Sequence, residues 1–201
     1  MRKTLATLLL ATAALGCDQD TVTYCPATTK YSQVPDTYVD EAVSYVEDSL
    51  SAHGVNVQVV PASASFAFPV DEHETDWVAL RDSLERVCGD TDIKTVYTTK
   101  SHPSQAGLFD QLQRAANPGG ETWPSKGINV LYAVPQAKLN QNAAGVSLHK
   151  HNALHEAIHA LDLPEHSDDT LSVMYKSGKA SYGQIPDNLA EDITAAVDSL
   201  D

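Results

Sequence analysis

The segment His155-Glu156-Ala157-Ile158-His159 constrains this chain more than any other feature. Residues four apart on an α-helix share a face, so His155 and His159 can point imidazole nitrogens at one metal ion. Glu156 lies about 100° around the helix from His155, because a turn takes 3.6 residues. From there its carboxylate reaches a water beside the metal without being a ligand. Ala153, Leu154, Ala157, Ile158, Ala160 and Leu161 make the segment apolar, as befits a buried helix. Unpaired His and Glu on such a helix are costly to desolvate, and a metal gives all three a reason to be there. An exposed helix with His on its polar face does not account for the apolar neighbours. Zinc is the expected ion: a catalytic zinc takes three protein ligands and leaves a position for water, which the carboxylate deprotonates as it attacks a carbonyl.

The run from His155 to Tyr175 reads HEAIHALDLPEHSDDTLSVMY. It resembles the metzincin metallopeptidases, and within them the matrixin-like branch. Three parts carry the resemblance: the extended zinc motif, the His166-Ser167-Asp168 after it, and Ser172-Val173-Met174-Tyr175, which looks like the Met-turn. The resemblance implies an α+β, metzincin-like zincin fold, with a twisted mixed sheet packed on an active-site helix and a C-terminal helix. It implies a hydrophobic floor under the metal at Met174 and a pocket-wall role for Tyr175. In that family the active-site helix stops at a glycine and the chain turns back to a third His. Here the glycine position holds Asp162, a residue type that tolerates positive φ. The family spacing puts the third ligand at Glu165, whereas His166 lies one residue beyond. Both remain open; imidazole chemistry and the His-Ser-Asp order favour His166. Leu189 to Leu200 resembles the closing helix of matrixins. The likeness is specific over about residues 148 to 201 and upstream rests only on a compatible order of elements. In the family an edge strand beside the cleft binds peptide by strand addition, and Ala144-Gly145-Val146-Ser147 is expected to lie there.

At 201 residues and 42% hydrophobic content, the chain suits one globular domain. A net charge of −14 argues against a basic surface for nucleic acid or anionic membrane. Residues 1–16 read as a bacterial-type secretory signal: Arg2 and Lys3, then a largely apolar stretch from Leu5 to Leu15. Ala14-Leu15-Gly16-Cys17 resembles a lipobox, which makes Cys17 a candidate for lipid attachment; ordinary cleavage after Ala13 is the alternative. Residues 17–201 are then a single domain in an oxidising compartment. With Cys17 acylated, Cys25 and Cys88 are left to pair, tying the first strand to the end of a later helix. A thiolate at Cys25 capping the zinc is the rival role, and Tyr24-Cys25-Pro26 matches that motif poorly.

Periodicity orders the rest. Thr21 to Tyr24 opens a strand, Asp36 caps a helix that ends at His53-Gly54, and Val55, Val57 and Val59 alternate as a strand. Trp77, Leu80, Leu84 and Val87 mark a second helix. Ile93 to Thr98 and Ile128 to Val134 are strands, with a short helix at Leu108 to Ala115 between them. The zinc helix is expected from near His151, and Leu189, Ile193, Val197 and Leu200 face one side of the last. His151 is expected to face solvent or cap the helix start, and His53, His73 and His102 to lie at the surface. Asp168 and Asp169 raise the question of calcium, but no EF-hand run accompanies them.

The leading expectation is an exported or lipid-anchored zinc endopeptidase, a monomer acting on peptide or protein, with Glu156 as base and His155, His159 and His166 as ligands. Two others stand beside it. One is a thermolysin-like enzyme with Glu191 as third ligand. The other is an acidic surface lipoprotein that binds metal without turnover.

Overall fold

The computed structural model describes residues 21–30, 34–67, 76–98, 120–132, 140–178 and 180–200. Residues 1–16, Cys17, the helix expected at Leu108 to Ala115, His73 and His102 lie outside them. The described elements are strands β1 (Thr21–Thr28), β2 (Asn56–Val59), β3 (Ile93–Thr98), β4 (Gly120–Trp123) and β5 (Ile128–Tyr132), with helices α1 (Asp36–Ser51), α2 (Trp77–Cys88), α3 (Leu148–Ala160) and α4 (Asp187–Asp198). The sheet runs β2-β1-β3-β5-β4. All pairings are parallel except that of β4, which runs antiparallel to β5 at the edge. All six residues of β3 are buried, as expected of a central parallel strand covered on both faces.

The two faces carry different cores. Val22, Tyr24, Ile93, Tyr97 and Leu131 look towards α1, α3 and α4. Helix α1 contributes Tyr38, Ala42, Val43, Val46 and Leu50 to this side, and α4 contributes Ile193 and Val197. Helix α3 has ten buried residues among thirteen, so the zinc-motif helix is a core helix as its apolar neighbours predict. On the opposite face Cys25, Ala27, Val96, Ile128 and Val130 pack against Leu80, Leu84 and Cys88 of α2. Cys25 and Cys88 are joined by a disulfide within this second core, with Cα atoms 5.8 Å apart.

Some boundaries differ from expectation. Pro35, not Asp36, occupies the N-cap of α1; Asp36 is its first helical residue and makes no capping bond. Its carboxylate still favours the positive end of the helix dipole. Helix α3 begins at Leu148, one turn earlier than His151 suggests. Strand β4 has no counterpart in the sequence pattern, which places Gly120 at a helix end. It is four residues long and begins with glycine, too short and too weakly patterned to announce itself. Among the described residues, no helix is long and apolar enough to cross a membrane.

The disulfide closes a loop across 63 residues of sequence. Chain entropy then sets its contribution at about 4 kcal/mol. A Cys25→Ser/Cys88→Ser variant should be less stable by roughly that amount in denaturant titrations, without losing the zinc-motif helix, which packs on the other face of the sheet.

Candidate metal centre

Helix α3 places His155 and His159 one turn apart, and the segments beyond its C-terminus aim them. Leu161 closes the helix, donating its amide to Ile158 at 3.1 Å, and Asp162 donates to His159 at 3.1 Å. Asp162 has φ of 64°, and no other described non-glycine residue has a positive φ. It therefore adopts the left-handed conformation for which the resembling family uses glycine; its short polar side chain makes the cost bearable. The chain then doubles back through Leu163 and Pro164, and Leu163 serves the site directly. Its carbonyl accepts a hydrogen bond from His159 Nδ1 at 2.8 Å. The carbonyl of Val173 does the same for His155 Nδ1 at 2.9 Å. The two bonds place the ring protons on Nδ1 and leave Nε2 of both rings bare.

The bare nitrogens converge. His159 Nε2 lies 3.1 Å from His155 Nε2 and 3.3 Å from His166 Nε2. Ligand atoms of all three rings lie within 4.8 Å of one another. Two unprotonated nitrogens at such distances repel unless a cation lies between them. Tetrahedral coordination at about 2.0–2.1 Å separates ligand nitrogens by about 3.3–3.4 Å, close to what is seen. The donor set therefore fits a metal ion. Burial lowers the pKa of His155, opposed by its bond to Val173 and assisted by the neighbouring His166. Burial also lowers that of His159, helped by the adjacent His155. Both shifts keep the imidazoles neutral and available at neutral pH.

His166 is brought into this group, while Glu165 beside it is exposed and outside it. Ser167 donates its amide to Met174 O at 2.9 Å, pinning the chain just after His166 to the turn that holds Met174. That turn is tight: Tyr175 N donates to Ser172 O at 3.1 Å, and Ser172 Oγ accepts from Met174 N at 3.1 Å. Met174 and Val173 are both buried. Tyr175 is half-buried and is not among the residues lining the cleft. Glu191 sits exposed on α4, away from the histidine group. Asp169 Oδ1 accepts from Leu171 N at 2.9 Å and Asp168 pairs with Lys176 at 3.5 Å, so both acidic residues serve the loop between His166 and Met174.

The cleft has a volume of about 250 Å³ and is lined by Gly120, Thr122, Pro124, His155, Glu156, His159, Pro164 and His166. Its wall strand is thus β4. Ala144-Gly145-Val146-Ser147, expected there, lies outside the sheet; Ser147 makes only an isolated bridge to Gln141. Glu156 is buried at the back of the cleft and accepts a hydrogen bond from Thr122 Oγ1. Its stem lies over Gly120: a Cβ there would stand 2.4 Å from Glu156 Cγ, so a larger residue at 120 would displace it. Nothing in the sequence singles out Thr122 or Gly120. The one available signal, a glycine and a threonine two apart, is far too common to mark a site.

His149 and His151 are also buried, correcting the expectation that His151 faces solvent or caps the helix. His149 stacks at 4.6 Å on Tyr38, with Nε2 3.3 Å from Glu41. His151 lies behind the centre, its ring 6.1 Å from that of His155. Burial, and then His155, lower its pKa to about 4.

No family model and no curated protein matches the chain. Among the solved structures similar to it are the following two. Archaemetzincin (amzA) from Methanopyrus kandleri aligns with a TM-score of 0.59 at 17% identity, over 92% of this chain and 99% of that one. Metalloproteinase-II from Bacteroides fragilis aligns with a TM-score of 0.54 at 12% identity, over 88% of this chain and 52% of that one. This chain therefore spans about half of the second protein.

His151 has a folded pKa below its unfolded value, so it favours folding only while neutral. Its contribution should be complete above pH 6.5 and fall away as pH drops towards 4, by up to about 3 kcal/mol. A His151→Gln variant should show a flatter dependence of unfolding free energy on pH over that window, measured by denaturant titration at each pH.

The likeness to these two solved structures is one of fold: the five-stranded sheet and four helices of the described residues form an archaemetzincin-like zincin fold of the α+β class.

Proposed function

We propose that this protein is a zinc-dependent peptidase, an endopeptidase of matrixin-like metzincin character, with His155, His159 and His166 as ligands and Glu156 as general base. The observation that carries this reading is the convergence of three Nε2 atoms beside a buried carboxylate that stands outside the ligand group. A site for metal storage or structure has no use for that carboxylate. The likeness in fold to archaemetzincin and to a metalloproteinase supports the same reading.

Zinc held by the three imidazoles would supply Lewis acidity, lowering the pKa of a water and polarising the scissile carbonyl. Glu156 takes the proton of the attacking water and passes it to the departing amine. Its position on the helix, one residue after His155, lets it reach that water without displacing a ligand. The carbonyls of Val173 and Leu163 hold two imidazoles in the tautomer that can ligate. Met174 forms the hydrophobic floor. Strand β4, an edge strand of the described sheet and a wall of the cleft, suits an extended peptide laid alongside it. Residues 1–16 as an export signal and Cys17 as a lipid attachment point complete the reading. The disulfide between Cys25 and Cys88 supports export, since such bonds persist in oxidising compartments.

Zinc content and cleavage of a mixed peptide library, measured together, test this proposal. The wild type should bind one zinc and cleave internal bonds. Glu156→Ala should keep the zinc and lose hydrolysis by at least about 100- to 10,000-fold. His166→Ala should weaken zinc binding by more than the roughly 10- to 100-fold typical of an outer partner, whereas Glu165→Ala should leave it nearly unchanged. Turnover persisting in Glu156→Ala would refute the mechanism. Zinc lost with Glu165→Ala and retained with His166→Ala would reverse the ligand assignment.

A further inference from the structure

Strands β3, β5 and β4 carry a row of polar side chains where the face of the sheet is otherwise apolar. Thr95 of β3 is the register partner of Asn129 of β5, and Asn129 is the partner of Thr122 of β4. Partners in register point to the same face, so all three look towards α3. Thr95 and Asn129 are wholly buried. The row is continuous: Asn129 Nδ2 is 3.1 Å from Thr95 Oγ1, Asn129 Oδ1 is 3.0 Å from Thr122 Oγ1, and Thr122 Oγ1 donates to Glu156 Oε2. At its inner end Thr95 shares a hydrogen bond with Tyr24, whose hydroxyl lies 3.0 Å from that of Tyr97. It thus runs from the middle of the core to the carboxylate in the cleft.

We infer that Thr122, backed by Asn129 and Thr95, is a positioning residue for Glu156, which fixes the carboxylate where the attacking water must be met. This rests on the peptidase reading of the site. Three observations carry it. First, a buried polar row costs desolvation that three apolar residues would avoid, so packing alone does not favour it. Second, a threonine hydroxyl has one proton. Donated to Glu156, it leaves Thr122 an acceptor towards Asn129. The Asn129 amide turned end for end relative to the assignment above, its nitrogen towards Thr122 and its oxygen towards Thr95, meets that need. In that orientation each link of the row donates towards the cleft. Third, Gly120 clears the space for the Glu156 stem from the same strand, two residues before Thr122. Strand β4 therefore fixes this side chain twice, by a gap at Gly120 and by a donor at Thr122. A flexible carboxylate would spend much of its time turned from the water, and misplacement by about 1 Å can cost on the order of 100-fold in rate.

The test compares wild type with Thr122→Val, Thr122→Ser and Asn129→Leu, each as the full zinc-loaded chain. Valine keeps the shape of threonine and removes the donor. Thr122→Val should lower kcat about 10- to 100-fold while KM, zinc content and melting temperature stay near wild type. Serine, which restores the hydroxyl, should recover most of the rate. A crystal structure of Thr122→Val should show the Glu156 carboxylate turned from its wild-type position. Asn129→Leu, at a position that reaches the cleft only through Thr122, should also lower kcat and not KM; if it does not fold, the Thr122 pair decides alone. Equal kcat in wild type and Thr122→Val, or an unmoved carboxylate, overturns the inference and leaves the peptidase reading standing. A rise in KM with kcat unchanged also overturns it, since Thr122 would then be binding substrate. A zinc-loaded wild type that cleaves no peptide sinks the peptidase reading itself, and the carboxylate position in Thr122→Val then still reports on the role of Thr122.

Discussion

Two backbone carbonyls organise the centre of this molecule. Val173 and Leu163 each accept the Nδ1 proton of a helix histidine, and everything specific about the site depends on where those protons sit. With Nδ1 protonated, the opposite nitrogen of each ring is a bare lone pair, and the helix points both at one place. The carbonyls belong to the two segments that the chain lays beneath the helix after leaving it. The turn at Asp162 delivers Leu163, and the turn at Met174 delivers Val173. Ser167 bonds to Met174 O, so the two segments also hold each other. His166 is thereby presented to the other rings on a short connection braced at both ends.

The sheet supplies the opposite wall. Its four parallel strands need helices on both faces, and α3 is one of them; the polar groups that a helix so buried brings inside are costly unless paired. His155 and His159 are satisfied at Nδ1 by carbonyls, and their Nε2 atoms are placed to share a cation. Glu156 is satisfied by Thr122 on the antiparallel edge strand. That strand is the part of the sheet with the most to do. It bounds the cleft, forms one edge of the described sheet and makes room for Glu156 at Gly120. The disulfide lies on the far face of the sheet, in the core with α2, where it stabilises the scaffold without touching the site.

The charge of the chain plays a different part. At −14 it is strongly acidic, yet the cleft gathers three imidazoles and a single carboxylate. Among the described residues, the acidic side chains of α1 and α4 are mostly exposed, including Asp36, Asp40, Glu191 and Asp192. They keep the surface hydrated and similar copies apart. The histidine centre depends on burial and hydrogen bonding within a few ångströms of the three rings.

Much of the site was legible in the sequence because helix geometry is local. A spacing of four puts His155 and His159 on one face wherever the helix lies, and the apolar residues around them require that it be buried. Asp162 was readable through the family resemblance, which puts a glycine at that position, because Asp tolerates positive φ better than most residues. Cys25 and Cys88 came from a count of cysteines. Contacts between distant segments were another matter. Choosing between Glu165 and His166 requires the path of the turn after Pro164, which only the packing of that turn against the Met174 segment fixes. The role of Thr122 requires a strand of four residues to find its register beside β5, and nothing in Gly120-Glu121-Thr122-Trp123 announces a strand. His151, expected to face solvent or cap the helix start, is buried behind the centre by the fold. Local geometry determined which groups share one face of the helix, and tertiary packing decided what holds each of them still, because orientation is set by partners that the chain brings together from far apart.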